Sequence, residues 1–275
     1  MIQLVTDSSA DLPQELLDEY NISVVPLNIT IDGKQYLEGV DLSPEEFCAR
    51  MLSSKELPRT SQPSPATFAK KFKELAGKGP ILCLTISSGL SGTYQSACIG
   101  RDLSGENVTV IDTLAGSLAH GLQLLEAAKL AAKGATVDKI VEFLKEFRKH
   151  SNIIILLHTL ENIVKGGRLS KFQGSLAKIL NIKVILEGIE GKVELVEKVR
   201  GTNKFLNRAL EMIGEKKKDF SETVFGITHL DNRKDALFLK EELINRYKPK
   251  DVIINYMGAT MGTYAGRGGM IVSFY

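Results

Sequence analysis

Residues 81–86, Ile-Leu-Cys-Leu-Thr-Ile, form a short apolar run that stops abruptly in Ser87-Ser88-Gly89-Leu90-Ser91-Gly92-Thr93, and a helical pattern follows. A run of this length between small polar residues reads as a buried strand. A strand that ends in small hydroxyl residues and hands over to a helix builds an anion site. Glycine lets the backbone turn back, the first helical N–H groups lack partners, and the helix dipole favours negative charge there.

The same alternation runs through residues 1–150. Ile2 to Val5 reads as a strand, and a helix opens at Asp11-Leu12-Pro13. Ile22 to Ile31 is extended, Asp32-Gly33 makes a hairpin turn, and Lys34 to Leu37 returns. Ser43-Pro44-Glu45-Glu46 is a well-formed helix start. Leu57 to Pro65, with three prolines, is an extended loop, and Ser64-Pro65 starts the next helix. Val108 to Asp112 is another strand, followed by helices at about 115–133 and 137–149. Alternating strands and helices argue for a mainly parallel sheet covered by helices, and ligands of such sheets sit beyond the carboxyl ends of the strands. Asp7, Ser8, Ser87, Ser88, Ser91, Asp112 and Thr113 all fall at that edge.

Residues 151–275 read differently. Ile153 to Leu157 is a strand, and a short helix over 159–165 leads through Gly166-Gly167-Arg168-Leu169-Ser170-Lys171 into another helix. Ile182 to Leu186 and Val193 to Val199 form a hairpin, and helices near 203–217 and 232–247 alternate with strands at 223–228, 251–256 and 270–275. The expected fold is therefore α/β: an N-terminal three-layer domain, 1–150, and a C-terminal α+β domain, 151–275, with a mostly antiparallel sheet.

Composition narrows the function classes. With 43% hydrophobic and 25% charged residues and a net charge of +2 over 275 residues, the chain is an ordinary globular protein with no general pull toward nucleic acid. No apolar run approaches the ~20 residues of a membrane span, and the chain opens on a strand rather than a signal sequence. Cys48, Cys83 and Cys98 are too widely spaced for a zinc site or a disulfide framework, which points to a reducing cytoplasm. No Walker or dinucleotide glycine motif is present, and no metal motif, so no cofactor is expected.

Ser91 has two readings beside the anion site. Gly89-Leu90-Ser91-Gly92-Thr93 resembles the nucleophile elbow of serine hydrolases, with Thr93 in place of the last glycine. A small-molecule hydrolase using Ser91 is thus the alternative function, although none of His120, His150, His158 and His229 stands in a context that marks a base. The plain reading is a helix cap. A module binding another carboxylate or a phosphate ester is a third reading.

Taken together and in order, Thr6-Asp7-Ser8-Ser9-Ala10-Asp11-Leu12-Pro13, Thr60-Ser61-Gln62-Pro63-Ser64, Ser87 to Tyr94, Asp112-Thr113, Lys165 to Lys171 and Lys198-Val199-Arg200-Gly201 resemble the DegV family of bacterial fatty-acid-binding proteins. The resemblance implies a long-chain fatty acid, of palmitate or oleate type, held in a tunnel with its carboxylate on Thr60 and Ser91. It also implies a non-catalytic carrier that presents the acid to a separate fatty acid kinase. Ser61, Gly92, Arg168, Arg200 and Tyr264 are candidates for support. Many members carry His in a pattern like T-H-x-G-P-G; here the segment reads Thr263-Tyr264-Ala265-Gly266-Arg267-Gly268. Tyr264 can donate a hydrogen bond but cannot become cationic.

Overall fold

The computed structural model describes residues 1–169 and 182–275. In chain order the elements are β1 (Gln3–Asp7), α1 (Gln14–Glu19), β2 (Ser23–Val25), β3 (Asn28–Ile31), β4 (Lys34–Leu37), α2 (Pro44–Ser53), β5 (Arg59–Ser61) and α3 (Pro65–Glu74). Then come β6 (Ile81–Thr85), α4 (Thr93–Ser104), β7 (Val108–Asp112), α5 (Leu118–Ala132), α6 (Val137–His150), β8 (Asn152–Leu157) and α7 (Glu161–Lys165). The chain closes with β9 (Ile182–Ile189), β10 (Lys192–Arg200), α8 (Thr202–Lys216), β11 (Val224–His229), α9 (Arg233–Tyr247), β12 (Asp251–Tyr256), α10 (Ala259–Ala265) and β13 (Met270–Phe274).

The first sheet, β2-β1-β6-β7, is parallel throughout. Its central strand β6 is buried at every position, which is why it reads as a nearly continuous apolar run. Phe68, Phe72 and Ala97, from α3 and α4, cover one face, while Leu118, Leu124, Ile140 and Leu144, from α5 and α6, cover the other. Ser43, Ser64 and Thr136 each accept a hydrogen bond from a first-turn backbone N–H, which starts α2, α3 and α6 where the sequence places them.

The second sheet, β10-β9-β8-β13-β11-β12, is antiparallel except for the parallel pair β11–β12. Alternate residues of its central strands serve different layers. Ile154 and Leu156 of β8 join Phe205, Leu210 and Leu239 of α8 and α9. Ile155 and Leu157 face the other way, into a cluster with Ile29, Phe47 and Ile271. Residues from the first 150 positions therefore pack directly on the second sheet.

The structure departs from the sequence reading at three places. The segment 22–31 is two strands of different sheets, split at Pro26. The proline-rich loop contains a strand, β5, whose Thr60 pairs with Ile29 in a third, small sheet, β4-β3-β5. Residues 259–265, not expected to be regular, form α10. The helix expected after Lys171 lies outside the described residues.

His120 is fully buried, with Nε2 2.9 Å from Thr6 Oγ1 and 3.3 Å from Leu84 O. Burial disfavours its imidazolium and lowers its pKa, against the pull of Asp7; burial acts the same way on His158 and His229. A folded-state value below the unfolded one means that the unfolded chain takes up the proton first. The stability from a neutral His120 is complete above about pH 6.5 and is lost progressively as pH falls from there toward the lower folded-state value. Burial raises the carboxyls of Asp11 and Glu38, which acts in the opposite direction, so the informative quantity is a difference. Thermal midpoints measured from pH 7.5 to 5.5 should fall more steeply for the wild type than for His120→Gln. Equal slopes would show that His120 contributes no pH dependence.

Candidate functional site

The loop after β6 is held from several sides. Ser87 N–H donates to Ala115 O at 2.8 Å, and Ser88 N–H and Leu114 N–H donate to the Asp112 carboxylate at 3.2 and 2.9 Å. Leu90 and Ser91 donate back to Ser87 O at 3.0 and 3.1 Å, which closes a tight turn. Ser87 Oγ donates to Gly191 O at 2.6 Å, across to the tip of the β9–β10 hairpin. Gly92 is the cap of α4, and it lies under the Gln62 side chain: an added Cβ would stand 2.7 Å from the amide. A side chain at this position would have to displace the Gln62 amide, so the two loops are in contact here.

That contact brings Thr60 and Ser91 together. Both line a cavity at the seam between the two sheets, with Ser61, Gln62, Arg168 and Tyr264 around the same mouth. Thr60 Oγ1 and Tyr264 Oη are hydrogen-bonded at 2.6 Å. Ser91 Oγ lies 2.8 Å from Thr93 Oγ1 and accepts from Thr93 N–H at 3.3 Å. Arg168 donates to Leu90 O at 3.2 Å and to Gly166 O at 2.6 Å, and its guanidinium lies 4.9 Å from the centre of the Tyr264 ring. The Cδ1–Cε1 edge of that ring rests on Gly166, where an added Cβ would collide with it. Tyr264 is thus held by glycine, by a cation and by Thr60.

Behind the mouth the walls are apolar: Leu27, Ile86, Leu90, Ile155, Leu157, Ile163, Val193, Met261, Ala265 and Ile271. The space between them, open mouth included, is about 660 Å³. Among the described residues Arg168 is the only charged side chain of the lining, and no carboxylate contributes to it. An anionic head and an apolar body match that distribution, since a buried charge needs charged or hydrogen-bonding partners.

Arg200 takes no part. It is exposed at the end of β10, seven residues along the strand from the cavity-lining Val193, which is roughly 23 Å at the usual rise. Ser91 hydrogen-bonds no histidine, and His120 is committed to Thr6 and Leu84. Among the described residues a serine nucleophile there would have no hydrogen-bonded base, which speaks against the hydrolase reading. No group of three or more His, Cys, Asp or Glu able to hold a metal occurs among the described residues. No described helix is long and apolar enough to cross a membrane. The wall residues of β8 and β13 and the helix carrying Tyr264 were not legible beforehand; the available signal was the parity of Ile155 and Leu157, hidden in a run that is apolar at every position.

These features define a class: an α/β protein of two large sheets and one small one, with an apolar cavity at their seam, a hydroxyl-lined mouth and, among the described residues, one cation. The chain belongs to the DegV family, whose family model matches it over residues 1–275. A DegV domain-containing protein of Caldanaerobacter subterraneus is 35% identical over 267 residues, which is 96% of this chain and 95% of that one. A DegV family protein of Thermus thermophilus, whose structure is described for its fatty acid binding, superposes with a TM-score of 0.94 at 30% identity, covering 100% of this chain and 99% of that one. DegV of Bacillus subtilis, described as a fatty acid binding protein, gives 0.90 at 28% identity, with 99% and 98% covered.

Gly166→Ala tests the cradle of Tyr264. Its φ of −75° suits any residue, so the main effect is the collision of the new methyl with the ring, with Asn162 O also 3.2 Å away. The variant should lose about 1–3 kcal/mol of stability in chemical denaturation through overpacking. An unchanged midpoint would mean that the ring is not held against Gly166.

Proposed function

We propose that this protein binds a long-chain fatty acid, with the carboxylate on Thr60 and Ser91 and the tail along the apolar walls. The observation that carries this reading is the joining of two hydroxyl loops and a cation to an apolar cavity to which, among the described residues, no carboxylate contributes. Relatives from Thermus and Bacillus described as fatty-acid-binding support it. So does a family member from Eubacterium eligens loaded with heptadecanoic acid, at 25% identity and a TM-score of 0.88.

The energetics divide between tail and head. Each buried methylene contributes about 0.8 kcal/mol, so a tail of about sixteen carbons supplies on the order of 10 kcal/mol before the cost of association. The head fixes orientation. Thr60, Ser91 and Tyr264 offer hydroxyl donors, and Arg168 supplies charge at the rim. Ser61 and the backbone near Gly92 stand next to them.

In this reading residues 1–150 form the head-group domain and 151–275 the domain that closes the tunnel. The protein is a cytoplasmic, non-catalytic carrier, and phosphorylation of the bound acid falls to a separate fatty acid kinase. Tyr264 keeps a donor at the head where a histidine would add a charge below neutral pH.

Native mass spectrometry of the purified full chain, followed by lipid extraction, tests the reading. One fatty acid per chain is expected. Repeated recovery without lipid, together with no uptake of added oleate or palmitate, would falsify it. Ser91→Ala combined with Thr60→Ala should weaken binding by about 1–3 kcal/mol, as for unmade hydrogen bonds to a charge. Unchanged affinity in that double variant would move the head group elsewhere.

A further inference from the structure

Helix α10 carries Thr260, Met261, Tyr264 and Ala265 into the cavity, yet little in its own sequence makes it a helix. It has seven residues, three of them Thr or Gly, and no side-chain cap from its own segment. So short a helix of weak formers does not hold by itself. Its first turn is gripped instead by Glu38, which follows β4 and is 5% exposed. Glu38 Oε1 accepts from Thr260 N–H at 2.6 Å, and Oε2 accepts from Thr260 Oγ1 at 2.6 Å. The carboxylate is itself oriented by Ser8 Oγ, which donates to Oε2 at 2.6 Å while accepting from Leu27 N–H at 3.0 Å.

Asp11 completes the grip by accepting from Gly258 N–H at 2.9 Å. The two carboxylates flank Gly258, where an added Cβ would lie 2.7 Å from an oxygen of each. Tyr264 stands four residues beyond Thr260, one turn further along the same helix face. The place of its hydroxyl opposite Thr60 therefore depends on what fixes Thr260, beside the contacts the ring itself makes with Arg168 and Gly166.

We propose that Glu38 is a positioning residue for the head-group site: it fixes Thr260, and through α10 it holds Tyr264 in hydrogen-bond contact with Thr60. The proposal rests on the fatty-acid reading of that site. Glu38 does not line the cavity; it acts from behind the wall to which Leu27 and Thr260 belong.

The test is a double-mutant cycle on oleate affinity with the full chain: wild type, Glu38→Gln, Tyr264→Phe and both together. Glu38→Gln should weaken oleate binding about tenfold in the wild type and less than about twofold when residue 264 is already Phe. A carboxylate that only stabilised the fold would give the same loss in both backgrounds; that result, or no loss at all, overturns the proposal. If Glu38→Gln does not fold, Thr260→Val removes the matching hydroxyl donor and enters the same cycle.

A ligand-free readout separates this proposal from the reading beneath it. The carbon-13 resonance of Tyr264 Cζ, recorded without lipid, should shift in Glu38→Gln. A wild type that binds no oleate but shows this shift supports the positioning and overturns the fatty-acid reading alone. An unmoved resonance in a protein that still binds oleate overturns the positioning and leaves the fatty-acid reading in place.

Discussion

The hydrogen bond between Thr60 and Tyr264 ties together residues 204 positions apart, and the mouth of the cavity depends on it. Thr60 comes from a short strand of the small sheet, Tyr264 from a short helix beside the large one. Neither element would present its hydroxyl there alone. β5 is three residues long and is held by its pairing with β3, while α10 is held by carboxylates from the N-terminal half. Arg168 lies over the tyrosine ring and Gly166 lies against its Cδ1–Cε1 edge. The mouth is therefore assembled by tertiary contacts, with polar groups satisfied by one another or facing the cavity.

The same economy shapes the walls. β8 and β13 are buried on both faces, so each contributes one parity of side chains to the packing under α8 and α9 and the other to the opposite face, with Ile155, Leu157 and Ile271 at the cavity. A polar substitution at Ile155 or Leu157 would alter the cavity wall, and one at Ile154 or Leu156 would disrupt the core under α8 and α9. Strand periodicity separates the two effects by a single residue.

How much of this was readable in the sequence follows from how local each signal is. The Ser87–Thr93 loop and the caps at Ser43, Ser64 and Thr136 depend on neighbours in the chain, and their turn chemistry was visible. The parallel and antiparallel sheets followed from the spacing of strands and helices. α10 was invisible because its stability comes from Asp11 and Glu38, which stand more than two hundred residues away. Arg200 looked like a supporting cation through its place in a motif, but a nine-residue strand carries it away from the cavity. The wall was hidden for the opposite reason: Ile153 to Leu157 is apolar at every position, and only the partners on each face tell the parities apart.

The central claim is that the seam cavity holds a fatty acid by its carboxylate at Thr60 and Ser91. A crystal structure of the chain saturated with palmitate measures this most directly. The expected result is a carboxylate oxygen within about 3.2 Å of both Ser91 Oγ and Thr60 Oγ1, with the alkyl chain along Ile155 and Leu157. A carboxylate bound away from these hydroxyls, or an empty cavity at saturating palmitate, would contradict it.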